Sequence, residues 1–289
     1  MGLVSMKPIL EDAQKKKYAV GAFNIVDYNS ALAVVRAAED LSAPVIVQTS
    51  VKTVQFWGHK TLRAWMEEIA GASSVPVALH LDHCKEVDFC KKCIDERWTS
   101  VMLDGSAESF EKNLAMTREV IEAAEPAGVS VEAELGQIRG VEEEVVARDD
   151  AHLADPEKAV EFCKGLNLAA FAPAIGTAHG VYKGEPELAF DRLEEIARRT
   201  GVPIALHGGT GLKDEVFRKC ISLGVAKINI STQLKYAFID GFVEYTAEHK
   251  DYDPLKVIAA QCERIKKEMA EKMKLFGSAG HAGQTEHPL

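Results

Sequence analysis

A carboxylate and an imidazole stand side by side at the end of an apolar stretch of this chain. The stretch, Val75–Cys84, reads VPVALHLDHC, and its composition is typical of a buried strand that ends at Asp82 and His83. Neighbouring groups of these two types can transfer protons or bind a metal ion. The alternative is that Asp82 only caps the following helix and that His83 is an incidental surface residue.

Two further histidines, His179 and His207, also follow predicted strands. Three neutral imidazoles without a thiolate are typical of a catalytic zinc site, in which a fourth position is left for the substrate. A single histidine near a strand end is more often a structural hydrogen-bonding residue, so the prediction depends on all three together. His80, inside the same strand as His83, is predicted to orient one of the metal ligands.

Two segments rich in glycine and hydroxyl groups follow the last two predicted strands. Backbone N–H groups and hydroxyls at these positions of a barrel commonly bind phosphate. The alternative is that the glycines only form tight turns. The predicted phosphate-binding residues of these segments are Gly208, Gly209, Thr210, Asn229, Ile230, Ser231 and Thr232.

Acidic residues are concentrated near the fifth predicted strand and in the long segment after it. Glu134 ends that strand, and Asp104 ends the strand before it. The segment over 136–155 is about twice the usual loop length, and loops of that length commonly cover active sites. Its acidic triplet, Glu142-Glu143-Glu144, is typical of solvated surface. Glu142 is nevertheless a candidate acid or base, because a mobile carboxylate could close over a metal-bound substrate.

The elements that must position these residues alternate regularly along the chain. Eight apolar runs suited to strands are separated by segments with helical spacing, which favours a (β/α)₈ TIM barrel. The first turn, Gly21-Ala22-Phe23-Asn24, lacks the glycine pattern of an open dinucleotide-binding sheet. The predicted strands are Ala19–Phe23, Pro44–Gln48, Val75–Leu81, Ser100–Leu103, Val129–Ala133, Ala169–Ile175, Pro203–Leu206 and Val225–Ile230.

The terminal segments are predicted to add helices to this single domain, which spans 1–289. A helix is expected at Met6–Lys17, before the first strand, and the helix after the eighth strand is expected to be extended by Pro254–Phe276. Residues from about 277 to 289 are polar and are predicted to form a flexible tail.

Composition restricts the partners and the compartment. The net charge of -10 argues against nucleic-acid binding, because no basic stripe is present to neutralise phosphates. There is no apolar run near 18 residues and no signal-peptide core, so neither membrane insertion nor export is expected. Six scattered cysteines then favour reduced thiols in the cytoplasm. Cys90 and Cys93 form a lone C-x-x-C within a predicted helix, which argues against a zinc or redox role.

With these residues in place, the chain resembles the class II (metal-dependent) ketose-bisphosphate aldolases. The resemblance extends from Gly21 to Gly280, and its motifs occur in the order of the family. They are AFN, LHLDH, MLDGS, VEAELG, AIGTAHG, LHGGTGL and KINIST.

The resemblance implies a role for each matching residue. His83, His179 and His207 would bind the divalent metal, which is expected to be Zn²⁺. Asp82 would be the acid or base at the hydroxyl derived from the aldehyde, and Glu142 would move the C1 proton. The phosphate of dihydroxyacetone phosphate would be held by Gly180, Gly208–Thr210 and Asn229–Thr232, with Asn229 near the developing enediolate, and a monovalent cation, Na⁺ or K⁺, often assists there. Asp104 and Glu134 would lie near an alternate metal position, and the chain would form a homodimer or homotetramer.

The sequence leaves the substrate open. Fructose 1,6-bisphosphate is expected, and tagatose 1,6-bisphosphate and 6-phospho-5-dehydro-2-deoxygluconate are alternatives. The chain departs from the family at Arg139, where the lid motif usually has glycine, and at Cys84, where several tagatose-specific members have a second histidine. More distant alternatives are a metal-dependent hydrolase, which usually needs an H-x-H on an early strand, and a non-catalytic sugar-phosphate binder. A Schiff-base mechanism is not expected, because the sixth strand has no lysine and Lys227 is interpreted as structural.

Overall fold

Eight parallel strands close into a barrel in the computed structural model, which describes residues 2–142, 145–147, 153–180 and 186–283. The barrel order follows the chain, and the last strand pairs with the first, which confirms the predicted TIM barrel. The barrel strands are β1 (Val20–Asn24), β2 (Val45–Ser50), β3 (Val77–Cys84), β4 (Ser100–Leu103), β5 (Ser130–Leu135), β8 (Ala170–Pro173), β10 (Ile204–Leu206) and β11 (Val225–Ile230).

Side chains alternate across the barrel wall as the two-residue period of a strand requires. On β2, Val45 and Val47 point outward and pack in the main hydrophobic core between the strands and the helices. Ile46, on the opposite face, packs inside the barrel with small residues such as Ala22 and Ala78. Nearer the carboxyl ends the inward positions are polar and buried, as at Asn24 and Gln48. The apolar wall therefore supports a polar site at one end only.

Helices surround the barrel, and several begin at a side-chain cap. Asp27 and Ser30 form a capping box at one helix start, and Ser50 and Ser109 cap two others. The helices are α1 (Met6–Lys16), α2 (Tyr28–Asp40), α3 (Val51–Trp57), α4 (His59–Ala72), α5 (Val87–Asp95), α6 (Phe110–Ala124), α7 (Pro156–Cys163), α8 (Phe190–Thr200), α9 (Asp214–Ser222), α10 (Thr232–Glu248) and α11 (Pro254–Leu275), and a 3₁₀ turn spans Glu125–Ala127.

The amino-terminal helix closes the end of the barrel opposite the polar site. Met6, Ile9 and Leu10 of α1 are buried against the small inward-facing residues of the strands. The N–H of Val4 donates to the carbonyl of Val77 at 2.9 Å, and the N–H of Lys7 donates to Ser130 Oγ at 3.1 Å. These contacts are made at the starts of strands, so α1 covers the amino-terminal end of the barrel.

The long segment after β5 contributes two strands to a small second sheet, and the segment after β8 contributes the third. Its strands are β6 (Arg139–Glu142), β7 (Val145–Ala147) and β9 (Ala178–His179). β6 runs antiparallel to β7 and parallel to β9, with Gly140 opposite His179. The predicted lid segment is therefore joined by its backbone to the strand that carries one of the candidate metal ligands.

The carboxyl-terminal region differs from two of the predictions. The predicted extension over 254–276 is a separate helix, α11, because the chain turns at Tyr252, whose φ is 48°, and Pro254 starts the new helix. The expected tail is packed over 277–283: Ser278 is buried, and the N–H groups of Gly280 and Ala282 donate to the carbonyls of Leu41 and Ser42 at 2.9 and 2.8 Å. Residues 284–289 lie outside the described residues. No helix in the described ranges combines the length and apolar character needed to cross a membrane.

Candidate active site and metal centre

Three buried histidine rings meet at the carboxyl ends of the barrel strands. One ring nitrogen from each of His83, His179 and His207 lies within 4.8 Å of the others. The rings of His83 and His207 are nearly perpendicular, at 88°, with His83 Nε2 2.7 Å from His207 Nδ1. The sequence predicted this convergence from three strand ends that are far apart in the chain. The arrangement can present three imidazole ligands to one ion.

A local irregularity in β3 allows two adjacent residues to face the site. Strict alternation would turn His83 outward if Asp82 points inward. Between the pairs Leu81–Val101 and Cys84–Leu103, β3 has two residues where β4 has one, so the strand carries a bulge. His83 also has a φ of 46°, a conformation that is rare for a residue with a side chain. The bulge and the strained backbone together turn the imidazole back toward the barrel axis.

Carboxylates on the outer side of two rings select which nitrogens face each other. His83 Nδ1 lies 3.0 Å from Asp104 Oδ2, and His207 Nε2 lies 2.8 Å from Glu132 Oε1. A neutral ring that donates its proton to a carboxylate has only a lone pair on its other nitrogen. The two nitrogens 2.7 Å apart are then both acceptors, which is an arrangement that a shared cation stabilises. The donor set fits a divalent metal ion.

Electrostatics favour the metal-binding form of His207 at neutral pH. Burial lowers the pKa of His207, and a proton on the neighbouring His83 lowers it further. The ring is therefore neutral near pH 7, which is the form that binds metals. Burial by itself raises the pKa of Glu132, but the positive charge of Lys227 and the hydrogen bond from His207 outweigh burial and hold it below its usual range. Glu132 is therefore ionised and accepts the proton of His207.

A second group of potential ligands shares His83. His83, Asp104 and Glu134 also place one ligand atom each within 4.8 Å, and Glu134 Oε2 lies 3.7 Å from His83 Nδ1. Burial raises the pKa of Asp104, but the hydrogen bond and charge of His83, with the hydrogen bonds from Ser106, hold it below its usual range. Burial and the charge of Asp104 raise the pKa of Glu134 well above its usual range. This group is therefore a second arrangement of ligand atoms that could hold a metal ion.

Asp82 lies beside the histidines and is held by three side-chain amides. Asn24 Nδ2 and Gln48 Nε2 donate to Asp82 Oδ2 at 2.8 and 3.2 Å, and Asn229 Nδ2 donates to Asp82 Oδ1 at 3.1 Å. These donors come from three different strands, β1, β2 and β11. The carboxylate is therefore fixed in position and oriented as a hydrogen-bond acceptor next to the candidate metal ligands.

The loops predicted to bind phosphate are packed tightly together at the same end. A Cβ at Gly208, whose φ is 68°, would lie 2.5 Å from the carbonyl oxygen of Ala178, and a Cβ at Gly209 would lie 3.1 Å from that of Asn229. At Gly208 both the positive φ and the close approach of the backbones require glycine, and at Gly209 a side chain would have to displace its neighbour. Ser231, at the amino terminus of α10, is buried, and its Oγ has no hydrogen-bond partner among the described residues. A helix start with free donors is suited to an anion.

Comparison with known proteins places the whole chain in one group. The family model for class II fructose-bisphosphate aldolases matches residues 4–281. The chain belongs to the class II fructose-bisphosphate aldolase family. The fructose-bisphosphate aldolase of Geobacillus stearothermophilus is 43% identical over 290 residues, which cover 98% of this chain and 100% of that protein. The 6-phospho-5-dehydro-2-deoxy-D-gluconate aldolase of Halalkalibacterium halodurans is 41% identical over 286 residues, which cover 98% and 99%.

The fold of a solved aldolase agrees with the barrel described above. The crystal structure of the YdjI aldolase from Escherichia coli K12 superimposes with a TM-score of 0.87 at 33% identity and covers 97% of this chain and 99% of that chain. The predicted family and fold are thus confirmed, and the chain is a class II aldolase, a lyase of a metal-dependent family.

The aldolase structure places most of the predicted site residues together. Asp82, Asn229 and the three histidines lie at one end of the barrel, as do Asp104 and Glu134. The side chain of Ile230 is buried in the hydrophobic core, so only its backbone can contact a phosphate. Gly180, with a φ of 89°, directly follows β9, and Thr210 and Thr232 lie after β10 and at the start of α10.

The predicted lid residue Glu142 is placed only by its backbone. Its backbone lies in β6, opposite Val145, and its side chain lies outside the described part of the aldolase, as do residues 143 and 144. The departure at Arg139 falls at the start of the same strand, opposite Ala178 of β9. Cys84, the other residue that departs from the family pattern, is buried, and its thiol donates to the carbonyl oxygen of Glu86 at 3.3 Å.

Sequence reasoning missed Gln48 as a site residue of the aldolase and interpreted Lys227 as structural. Both are buried inside the barrel, on strands whose preceding residues are apolar. The two-residue period could have identified them, since Lys227 is two residues before Asn229 on an inward face. His80 Nε2 lies 3.6 Å from Glu132 Oε2, and Glu132 in turn bonds His207.

Proposed function

We propose that this aldolase is a Zn²⁺ enzyme that reversibly cleaves fructose 1,6-bisphosphate into dihydroxyacetone phosphate and glyceraldehyde 3-phosphate. The main support is the pair of facing ring nitrogens of His83 and His207, each oriented by a carboxylate, with His179 in reach and Asp82 beside them. When bound, the metal ion would act as a Lewis acid that stabilises negative charge on the ketone oxygen. Na⁺ or K⁺ is proposed to assist at the substrate phosphate.

In the proposed reaction Asp82 takes the proton from the C4 hydroxyl as the C3–C4 bond breaks, and returns it in the synthetic direction. Its carboxylate accepts three amide N–H bonds, which hold it as a base in a fixed position. Glu142 is proposed to exchange the C1 proton of dihydroxyacetone phosphate on the other side of the cleaved bond. The backbone pairing of Gly140 with His179 supports this assignment, because it ties β6 to the metal-binding strand.

The phosphate of dihydroxyacetone phosphate is proposed to bind Gly180, the loop after β10 and the start of α10. Gly208 and Gly209 bring the backbones of these loops close together, and Ser231 contributes a buried hydroxyl. These groups supply N–H and O–H donors without requiring basic side chains.

A Schiff-base mechanism is not supported for Lys227. Its Nζ lies 2.9 Å from Glu132 Oε2 and 2.7 Å from Asn229 Oδ1, so the amine is held as an ammonium ion within a buried ion pair. An ammonium ion has no lone pair with which to attack a ketone.

Side-by-side assay of three substrates is expected to show the largest kcat/KM for fructose 1,6-bisphosphate. The alternatives are tagatose 1,6-bisphosphate and 6-phospho-5-dehydro-2-deoxygluconate, and the name of the 41% identical H. halodurans relative supports inclusion of the latter. A chelator is expected to abolish the activity, and Zn²⁺ is expected to restore it. Cleavage that survives metal removal, or covalent trapping of substrate by borohydride, would exclude the proposed mechanism.

We also propose that the aldolase forms a homodimer or homotetramer and works in the cytoplasm. Tyr236, Ile239, Phe242 and Val243 of α10 are 48–57% exposed. At 100° per residue around the helix axis, these four side chains fall within an arc of about 120° on one side of α10. Their exposed area is on the order of 400 Å², which is about half of what one partner buries in a standard interface. All six cysteines are free thiols, which supports a reducing compartment.

Ile239→Lys is expected to shift the molar mass measured by light scattering toward the monomer, because it places a charge at the centre of this apolar face. Glu248→Lys introduces the same side chain about 180° away on the same helix and serves as the matched control. An unchanged molar mass for Ile239→Lys would show that this face is not the interface.

A further inference from the structure

A lysine side chain is completely buried inside the barrel below the proposed site. Lys227, on β11, is 0% exposed. Its Nζ lies 2.9 and 3.2 Å from the two carboxylate oxygens of Glu132 and 2.7 Å from Asn229 Oδ1. The shortest of these contacts is thus to a neutral amide rather than to the carboxylate. Charge compensation by Glu132 alone does not explain why the ammonium also binds Asn229.

The contact with Lys227 determines which way the Asn229 amide points. An ammonium group is only a donor, so the oxygen of Asn229 must face it. The nitrogen, Nδ2, is then directed to Asp82 Oδ1 at 3.1 Å. The reversed orientation would bring two donors together at Lys227 and two acceptors together at Asp82. The observed orientation is therefore favoured at both ends of the side chain.

The neighbouring histidine does not provide the same control. Asn229 Nδ2 also lies 3.4 Å from His207 Nε2. That nitrogen donates its proton to Glu132 at 2.8 Å, so it cannot accept one from Asn229. Among the described residues, Lys227 and Asp82 are thus the two groups that orient this amide.

We infer that Lys227 is a positioning residue for the aldol reaction, and that it acts by holding the amide N–H groups of Asn229 toward Asp82 and the substrate. This inference rests on the proposed function, in which Asp82 moves a proton and Asn229 contacts the substrate. Lys227 itself lies below Asn229 and does not touch the reacting atoms. Its effect is on the geometry of the two groups above it.

Lys227→Met tests this inference, because methionine keeps an unbranched apolar chain of similar length but has no donor. We expect kcat to fall by about 10-fold or more, with KM changed by less than about threefold, since the substrate still binds but Asp82 and Asn229 are misaligned. In the Asn229→Ala background the same substitution is expected to lower kcat by less than about threefold. A general loss of structure would instead lower kcat by the same factor in both backgrounds, and that result would overturn the inference.

A second measurement does not depend on activity. In a crystal structure of Lys227→Met, the distance from Asn229 Nδ2 to Asp82 Oδ1 is expected to exceed about 3.5 Å, or the amide is expected to reverse. Retention of the 3.1 Å contact would overturn the inference even if the enzyme were inactive. Wild-type protein that cleaves none of the three ketose phosphates would refute the proposed function, whereas this distance would still test the control of Asn229 by Lys227.

Glu132→Gln is a matched control, and it also allows the inference to be tested if Lys227→Met does not fold. It removes the other charge of the pair but retains the contact between Lys227 and Asn229. Lys227→Met leaves Glu132 buried without its cation, which can prevent folding. If Lys227→Met does not fold, the effect of this substitution is measured in the Glu132→Gln background instead. The kcat of Glu132→Gln/Lys227→Met is compared with that of Glu132→Gln, and the comparison is repeated with Asn229→Ala present in both. The same pattern is expected: at least about a 10-fold loss of kcat with Asn229 present and less than about threefold without it.

Discussion

His207→Ala is expected to abolish tight zinc binding and to lower kcat by about 10³-fold or more. His207 supplies one of the two facing nitrogens, 2.7 Å from His83 Nε2, so two imidazoles at most would remain for the ion. Lewis-acid stabilisation of transition-state charge contributes several kcal/mol, and about 4 kcal/mol corresponds to a factor of about 10³ in rate. The zinc content after dialysis and the kcat of the dialysed protein measure the two effects.

The fold is expected to survive this substitution, which makes the result interpretable. His207 follows β10 and is not part of the apolar wall of the barrel. Glu132, its carboxylate partner, keeps Lys227 at 2.9 Å and is therefore not left without a counter-charge. His249→Ala, at an exposed position after α10, removes the same side chain outside the site and is the control. Full activity of His207→Ala with no bound metal would refute the metal mechanism.

The general position of the candidate site was predictable because polar residues with possible chemical roles follow apolar strands at their carboxyl ends. Asp82, His83 and His207 each follow a run of buried residues, and in a parallel barrel all such ends lie on one rim. Gln48 and Lys227 lie inside strands, where a single polar residue in the sequence does not by itself indicate a functional role. Their function depends on partners on other strands, which one strand's own sequence does not contain.

Two structural features depend on pairing and could not be predicted from residue types. The bulge that turns His83 inward arises from the register between β3 and β4, since two residues of one strand face one residue of the other. The packing of 277–283 depends on backbone bonds from Gly280 and Ala282 to Leu41 and Ser42. Small residues that bind through their backbone have the same composition as a flexible tail, so the sequence suggested the wrong boundary.

Asp82→Asn is expected to lower kcat for C–C cleavage by about 10²–10⁴-fold, which is the range for loss of a positioned general base. An amide of the same size cannot accept the proton. It also cannot satisfy its neighbours, because Asn24 and Gln48 donate to one oxygen of Asp82 and Asn229 donates to the other. In either orientation the new NH₂ group would face a donor. Asp88→Asn, at an exposed position on α5, is the matched control.

The two halves of the reaction should respond differently to Asp82→Asn. Asp82 is assigned to the hydroxyl of the aldehyde half, whereas the C1 proton of dihydroxyacetone phosphate is assigned to Glu142. Exchange of that proton with deuterium from the solvent, measured by NMR, is therefore expected to continue within about 10-fold of the wild-type rate while cleavage is lost. Bound zinc is expected to be unchanged, because Asp82 is not one of the proposed metal ligands, which are the three histidines. Equal loss of exchange and cleavage, with zinc retained, would mean that Asp82 serves both halves and that the assignment of separate bases is wrong.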